Sequence, residues 1–181
     1  MDMDKNIHEP RPDNGNIWLR ACEPEDIDML YVWENDASQW ASSLSPFKVS
    51  RRRIADFIEG FDGDIGRWPQ LKLVVCCGEG GEAVGSVDVY DIDLRNGHGF
   101  AGIYIDRQNR GRGFGRAAVN ALVDYCRGPL GLNCLAAMVA VDNMASRHMF
   151  ASCGFVEAGI LGGWLRRGRE HVDVVLLQKK L

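Results

Sequence analysis

A short glycine-rich segment, residues 110–116 with the sequence Arg-Gly-Arg-Gly-Phe-Gly-Arg, has the residue types and spacing to bind an anion. It follows an apolar run at 103–105 that predicts a strand, and it precedes residues 117–126, where apolar side chains recur at helical spacing. The backbone N–H groups of a first helical turn lack internal partners, and the helix dipole makes that end positive. Because glycines leave these donors uncovered, the segment predicts a phosphate or pyrophosphate site.

The glycine spacing distinguishes this site from two common nucleotide-binding loops. A nucleoside triphosphate loop needs Gly-x-x-x-x-Gly-Lys-Ser/Thr, and a dinucleotide fingerprint needs Gly-x-Gly-x-x-Gly near the first strand. The segment has neither pattern, but Arg110, Gly113 and Gly115 match Arg/Gln-x-x-Gly-x-Gly/Ala. A motif this short leaves one alternative open, which is a tight turn without a ligand.

A second segment follows the predicted helix. Residues 135–141 predict a buried strand, and residues 142–150 then read Asp-Asn-Met-Ala-Ser-Arg-His-Met-Phe. Asp142 or Asn143 can cap a helix here, and Gly154 fits the left-handed position that ends one. The chain therefore predicts a strand, a capped helix and a glycine stop beyond the anion segment.

Together the two segments resemble the GNAT superfamily of N-acetyltransferases, which bind acetyl-CoA. The first is similar to the family's pyrophosphate loop. The second is similar to its Asn-x-x-Ala/Ser-x-x-x-Tyr pattern followed by Gly-Phe, with matches at Asn143, at Ser146 or Ala145, and at Gly154-Phe155. Residues 17–20 and 25–26, and the C-terminal hairpin, look like the RimJ/RimL-like and spermidine acetyltransferase branch. The resemblance covers residues 16–180.

This resemblance implies an α/β fold: a single-domain GNAT fold with a mixed, mostly antiparallel central sheet, flanking helices, and splayed strands four and five. The residue patterns agree, with strands expected at 16–22, 71–77, 84–91 and 98–105, and with helices at 24–35 and 51–60. A loop is expected at 40–47, and a final hairpin pairs 155–166 with 171–180. We expect residues 1–15 to form a flexible tail and residues 16–181 to form the N-acetyltransferase (GNAT) domain.

Composition limits the function further. The 181 residues suit one domain, and a net charge of −4 argues against general nucleic-acid binding. Membrane-span and signal-peptide patterns are missing, so the sequence predicts a cytoplasmic protein without a membrane partner. The six cysteines show no Cys-x-x-Cys spacing, which favours reduced core thiols over metal or redox chemistry, and we expect no metal site.

The resemblance also implies the residues that contact acetyl-CoA. In this family the pantetheine arm pairs with strand four, and the diphosphate lies on the glycine-rich turn. The expected contacts are Ile103, Tyr104, Ile105, Arg110, Gly111, Arg112, Gly113, Phe114, Gly115, Arg116, Asn143, Ser146 and Phe150. Gly102 within strand four suggests a bulge or a close backbone approach, and the alternative is a small residue beneath a bulky neighbour such as Trp164.

The catalytic side chains are less well defined. Acetyl transfer needs a neutral amine, a polarised thioester carbonyl and a stabilised thiolate. Many family members carry a glutamate on strand four, where this chain reads Phe-Ala-Gly at 100–102. The substitutes are Asp88 or Asp91 on strand three and His98, although exposed surface residues are the alternative. The family's tyrosine, a proton donor to the thiolate, aligns with Phe150, which cannot donate.

The acceptor stays open among a polyamine, another small amine and a protein or peptide N-terminus. Four acidic residues near the expected acceptor side could attract a cation: Glu34, Asp36, Asp62 and Asp64. The arginines at 51–53 predict a solvated helix face or a role beside phosphate groups. We expect an N-acetyltransferase, with a homo-oligomer possible, and the alternative is an acyl-CoA-binding sensor or regulatory protein with little catalysis.

Overall fold

The computed structural model describes residues 17–40 and 47–181. The expected tail, residues 1–15, lies outside these residues, as does most of the loop expected at 40–47. The strands are β1 Ile17–Ala21, β2 Leu71–Cys77, β3 Glu82–Asp93, β4 His98–Ile105, β5 Cys134–Ala140, β6 Val156–Arg167 and β7 Glu170–Lys180. The helices are α1 Ile27–Glu34, α2 Ala37–Trp40, α3 Arg51–Gly60, α4 Phe114–Arg127 and α5 Met144–Ser152.

The strands form one seven-stranded sheet in the order β1-β2-β3-β4-β5-β7-β6. Neighbouring strands are antiparallel except β4 and β5, which are parallel and are connected through α4. A parallel pair needs such a crossover, and the anion segment lies at its start. The mixed, mostly antiparallel sheet that the sequence predicted is confirmed.

Strands β4 and β5 separate soon after they pair. Their ladder contains three residue pairs, which join 98–100 to 134–136. Beyond Phe100 the edge of β4 that faces β5 has no ladder partner within the described chain, whereas all of β5 pairs with β7 on its other side. The predicted splay of strands four and five is confirmed, and it leaves the β5-facing edge of residues 101–105 without a strand partner.

Local sequence signals set the helix ends. The Ser50 hydroxyl accepts a hydrogen bond from the Arg53 N–H at 3.2 Å and caps α3. The Asn143 side chain likewise caps α5, and Gly154, with φ of 84°, follows the end of that helix. Helix α4 starts from Gly113, which also has φ of 84°.

The hydrophobic core is divided in a way that creates a cleft. Helix α4 packs its apolar face, including Leu122, on the central strands. A separate small cluster, Leu30, Trp33 and Ile54, joins α1 to α3 and contacts Tyr104 of β4. Helices α1 and α3 therefore form a wall beside the splayed end of β4. Within residues 17–40 and 47–181, no helix is both long and apolar enough to cross a membrane.

Two of the expectations about Gly102, a bulge and a position beneath Trp164, are wrong, whereas a close approach of a ligand to its backbone stays a prediction. The strand is regular at this residue, which pairs with Asp88, whereas the register of β3 with β4 shifts between Tyr90 and Asp93. Trp164 does not cover Gly102, because the indole is 60% exposed and the neighbour of Gly102 is the Asp88 side chain.

Candidate active site

A cleft of ≈ 680 Å³ opens between the α1–α3 wall, the splayed strands and α5. Among the residues predicted to act in a site, it gathers Asp88, Ile103, Tyr104, Asn143, Ser146 and Phe150. His98 is absent from this lining. Its half-exposed imidazole lies at the other end of β4, 3.9 Å from the Asp93 carboxylate and beside a separate cavity. The structure therefore brings Asp88 together with the cofactor candidates and leaves His98 apart.

The start of α4 has the features of an anion site. Gly113 occupies the cap position, and no side chain within the described part of the chain caps this end. The first backbone bond runs from the Ala117 N–H to the Gly113 carbonyl at 3.2 Å, so the preceding amides have no helical acceptor. A β-carbon built at Gly113 would meet nothing within 4 Å, which shows that the approach to these donors is open.

The three arginines of the segment differ in their contacts. Arg112 donates to the Asn109 side chain at 2.8 Å and lies over the Phe114 ring at 4.8 Å. Arg116 is exposed and makes no side-chain hydrogen bond or ion pair to residues the structure describes. Arg116 is thus the guanidinium most available to a phosphate at the helix start.

Arg110 points back toward β4 instead. Its Nε donates to the Ile105 carbonyl at 2.9 Å, and its Nη2 lies 3.4 Å from the Asp36 carboxylate. The Tyr104 hydroxyl donates to the same carboxylate at 3.3 Å. Burial, followed by the neighbouring Asp36 charge, raises the pKa of Tyr104 to about 12, so this phenol stays protonated at neutral pH. Arg110 therefore joins the anion segment to the end of β4 and to the start of α2.

Helix α5 contributes one face to the cleft. The Asn143 Oδ1 accepts from the Ser146 N–H at 3.1 Å, so this side chain caps the helix as well as lining the site. Phe150 lies one turn beyond Ser146. It is 2% exposed and packs edge-on against Phe155, with ring centroids 5.0 Å apart. Phe150 belongs to the core and also closes one side of the cleft.

An ion-paired cluster, which we call the Lys72 triad, lies in the acceptor half of the cleft. The Lys72 Nζ is 2.6 Å from Asp88 Oδ1 and 2.8 Å from Glu34 Oε1. Burial acts to lower the pKa of Lys72, but the charges of Asp88 and Glu34 outweigh it and raise this pKa above its ordinary value. The ammonium therefore stays charged between two carboxylates.

Asp88 also borders the position where the sequence lacks a strand-four carboxylate. It pairs across the sheet with Lys72 on one side and Gly102 on the other. Its Oδ2 lies 3.6 Å from where a β-carbon of Gly102 would stand. One carboxylate oxygen holds Lys72, and the other faces the bare backbone of β4.

The other acidic candidates divide between the cleft and the surface. Glu34 lines the cleft, and Asp36 lies next to it through Tyr104. Asp62 and Asp64 belong to the loop after α3 and bond within that loop, where Arg67 pairs with Asp62 at 2.6 Å. The structure thus brings only the first two of these four acids to the site.

Sequence reasoning missed Lys72 as a residue of the cleft. The signal was a lone lysine in the apolar strand Leu-Lys-Leu-Val-Val-Cys-Cys, where a charge needs a partner. Of the three arginines at 51–53, the structure places Arg53 on the cleft lining, while Arg51 pairs with Asp28 at 2.6 Å.

Comparisons with known proteins give a consistent result. The family model for the acetyltransferase (GNAT) domain matches residues 16–156. The chain is 33% identical to spermidine N(1)-acetyltransferase of Vibrio cholerae over 151 residues, which cover 82% of this chain and 83% of that one. It is 28% identical to the N-acetyltransferase p20 of Bacillus licheniformis over 162 residues, covering 88% and 90% of the two chains.

Solved structures match the fold over nearly the whole length. Spermidine N-acetyltransferase of Vibrio cholerae in complex with CoA and spermine superposes with a TM-score of 0.82 at 24% identity, covering 92% of this chain and 96% of that one. A dodecameric structure of that enzyme gives 0.75 at 24% identity, covering 92% and 95%. RimL, a ribosomal L7/L12 α-N-protein acetyltransferase in complex with CoA, gives 0.81 at 19% identity, covering 94% and 97%.

Proposed function

Because the chain belongs to the GNAT family of acetyltransferases, we propose that its cleft transfers an acetyl group from acetyl-CoA to a primary amine. One observation carries this proposal: the unpaired edge of β4 and the uncapped start of α4 lie next to each other at the splay. The first offers backbone groups to amides, and the second offers N–H groups to phosphates.

The residues present fit the two ends of acetyl-CoA. The β5-facing backbone groups of residues 103–105 suit the pantetheine amides, although the Ile105 carbonyl also accepts from Arg110. The 110–116 segment, with the exposed Arg116, suits the diphosphate. The co-substrate supplies an activated acyl group as a thioester, and this chain supplies its binding and orientation.

The amine nitrogen forms a bond to the acetyl carbon, the C–S bond breaks, CoA leaves as its thiolate, and the proton lost by the nitrogen passes to water. Two groups act around these reacting atoms. A free backbone N–H of β4 polarises the thioester carbonyl. The second oxygen of Asp88 accepts a hydrogen bond from the amine, or from a water molecule beside it, because it faces Gly102 and is not used by Lys72. Phe150 has no proton to give, and the hydroxyl on the same helix face is that of Ser146, one turn earlier.

The proposal is tested by incubating the protein with acetyl-CoA and a panel of primary amines and detecting acetylated products by mass spectrometry. A control reaction without any amine measures the hydrolysis of the thioester, which is then subtracted. We expect at least one amine to be acetylated with saturable dependence on both substrates. Saturable acetyl-CoA binding without any acetylated product would favour the acyl-CoA-binding sensor instead.

Assembly of the protein with copies of itself is a further part of the proposal. Strand β6 is at the edge of the sheet and exposes three large apolar side chains: Val156 at 66%, Ile160 at 63% and Trp164 at 60%. An apolar edge strand is a ready surface for another chain. The dodecamer of the Vibrio cholerae enzyme supports a homo-oligomer here. The exposed apolar side chains of β6 favour this strand as the contact.

A further inference from the structure

The Lys72 triad has a consequence for the choice of acceptor. Lys72, Glu34 and Asp88 all line the cleft, yet the Lys72 side chain is only 13% exposed. The two carboxylates that a cationic substrate would meet already share an ammonium group that belongs to the chain.

With the acceptor amine on Asp88 Oδ2, a further ammonium of the same substrate could use the carboxylate oxygens bound to Lys72 only by displacing Lys72. Lys72 is tethered to β2, so it competes as an intramolecular partner rather than from free solution. Its displacement would also leave a largely buried cation without its partners, which is costly. Lys72 therefore opposes the binding of a further substrate ammonium at the triad.

The remaining wall of the acceptor half is mostly apolar. It includes Leu30, Trp33, Phe47 and Phe57. Among the described residues, the other charged side chains on the cleft lining are Arg53 and Asp91, which have opposite signs. Because Arg53 and Asp91 have opposite charges, their effects on a second ammonium oppose each other, whereas the aromatic side chains favour a hydrocarbon body.

From these features we infer that Lys72 selects the acceptor, and that the enzyme takes a primary monoamine on an apolar body in preference to a diamine or polyamine. This inference rests on the proposed function. The single amine group reaches Asp88 Oδ2 beside Gly102, and its hydrocarbon part packs on the wall that contains Trp33 and Phe47. Lys72 acts through the two carboxylates, so it is a positioning and specificity residue.

The decisive experiment compares two acceptors that differ only by a second amine, n-hexylamine and 1,6-diaminohexane, with acetyl-CoA saturating. The wild-type protein should show a kcat/KM for hexylamine that is higher by on the order of tenfold, the scale of one unfavourable charge contact. The preference for hexylamine should come mainly from a lower KM for hexylamine than for the diamine. A purely structural role for Lys72 would not produce such a difference in KM.

Two variants separate charge from packing. Lys72→Met keeps the length of the side chain and frees both carboxylates, so the preference should narrow or reverse in favour of the diamine. Lys72→Arg keeps the charge and should retain the preference. A Lys72→Met protein that acetylates both amines in the wild-type ratio would overturn the inference.

If Lys72→Met does not fold, the inference is tested by the wild-type protein alone, from the ratio of its kcat/KM values for hexylamine and 1,6-diaminohexane. The inference fails while the proposed function stands if wild-type protein acetylates 1,6-diaminohexane or spermidine as well as hexylamine. It fails likewise if the protein acetylates a peptide N-terminus and neither hexylamine nor 1,6-diaminohexane. If no amine of any class is acetylated, the proposed function fails, and this inference fails with it.

Discussion

A charge placed at Gly113 tests whether a phosphate binds at the start of α4. Gly113 has φ of 84°, a conformation that costs Asn and Asp less than other residues with a β-carbon. Gly113→Asp and Gly113→Asn therefore impose nearly the same backbone cost and the same shape. They differ by one negative charge in the open space that a β-carbon at this position would enter.

The size of the effect follows from Coulomb's law. Two unit charges about 5 Å apart repel by about 0.8 kcal/mol in water and by about 3.3 kcal/mol at an effective dielectric constant of about 20. These energies correspond to a weakening of binding by about 4-fold and about 200-fold. Because Gly113 is exposed, we expect the Asp variant to bind acetyl-CoA about tenfold more weakly than the Asn variant.

The assay is calorimetric titration of both variants with acetyl-CoA at low salt and again near 1 M salt, where screening acts within about 3 Å. The difference should shrink at high salt. S-acetylpantetheine, which lacks the phosphates, is the control ligand and should not distinguish the variants. Equal acetyl-CoA affinity of both variants at low salt would refute the argument, because no phosphate charge would then lie near Gly113.

Three further predictions concern catalysis, stability and assembly. Phe150→Tyr should raise kcat and leave the affinity for acetyl-CoA nearly unchanged, because a tyrosine hydroxyl can act as a general acid, whose contribution is about 10²–10⁴-fold at most. If kcat is unchanged or reduced from about pH 6 to about pH 9, the role of Phe150 is packing against Phe155. Burial opposes ionisation of Asp26, but hydrogen bonds from Arg20 and from the Glu23 N–H prevail and lower its pKa. Its stabilising effect is therefore present above the ordinary aspartate pKa and is lost as the pH falls through the lowered value. Asp26→Asn should reduce the free energy of unfolding, measured by urea denaturation at neutral pH, by about 1.5–3 kcal/mol. The difference in this free energy between variant and wild type should become smaller below about pH 4. A difference that stays constant with pH would contradict a stabilising role for the charge of Asp26. If β6 joins two copies of the chain, Trp164→Ser should lower the particle mass measured by light scattering. The control is Leu94→Ser on the β3–β4 turn, where Leu94 is 49% exposed, and it should leave the mass unchanged. An unchanged mass for both variants would exclude β6 as the contact.

Local signals in the sequence were sufficient for several elements. The bounds of β2, β4 and α3 agree with the prediction, because Ser50 caps α3 and the Asn96-Gly97 turn precedes β4. Strand β3 is longer than predicted. Asp91 takes φ of 49° at the register shift, and the strand continues beyond it to Asp93. No local sequence pattern predicts this shift in strand register, because the pairing of β3 with β4 determines it.

The parts of the candidate site that the sequence could indicate are those that depend on neighbours in the chain. The glycine segment and the capped helix α5 could be read from sequence because their chemistry is local. The Lys72 triad could not, since it needs the register of β2 with β3 and the end of α1 in one place. The turn of Arg110 toward Asp36 was missed for the same reason, because 74 positions separate the two residues.

The short ladder between β4 and β5 leaves the middle of the sheet incompletely paired. Strands β1 to β4 lie on one side and β5 to β7 on the other. Within residues 17–40 and 47–181, the strand ladder between these two groups has three residue pairs. A pantetheine arm bonded along residues 101–105 would serve as the missing piece of strand. The donor substrate would then be a temporary structural member of the sheet, and each release of CoA would return the enzyme to its less complete form.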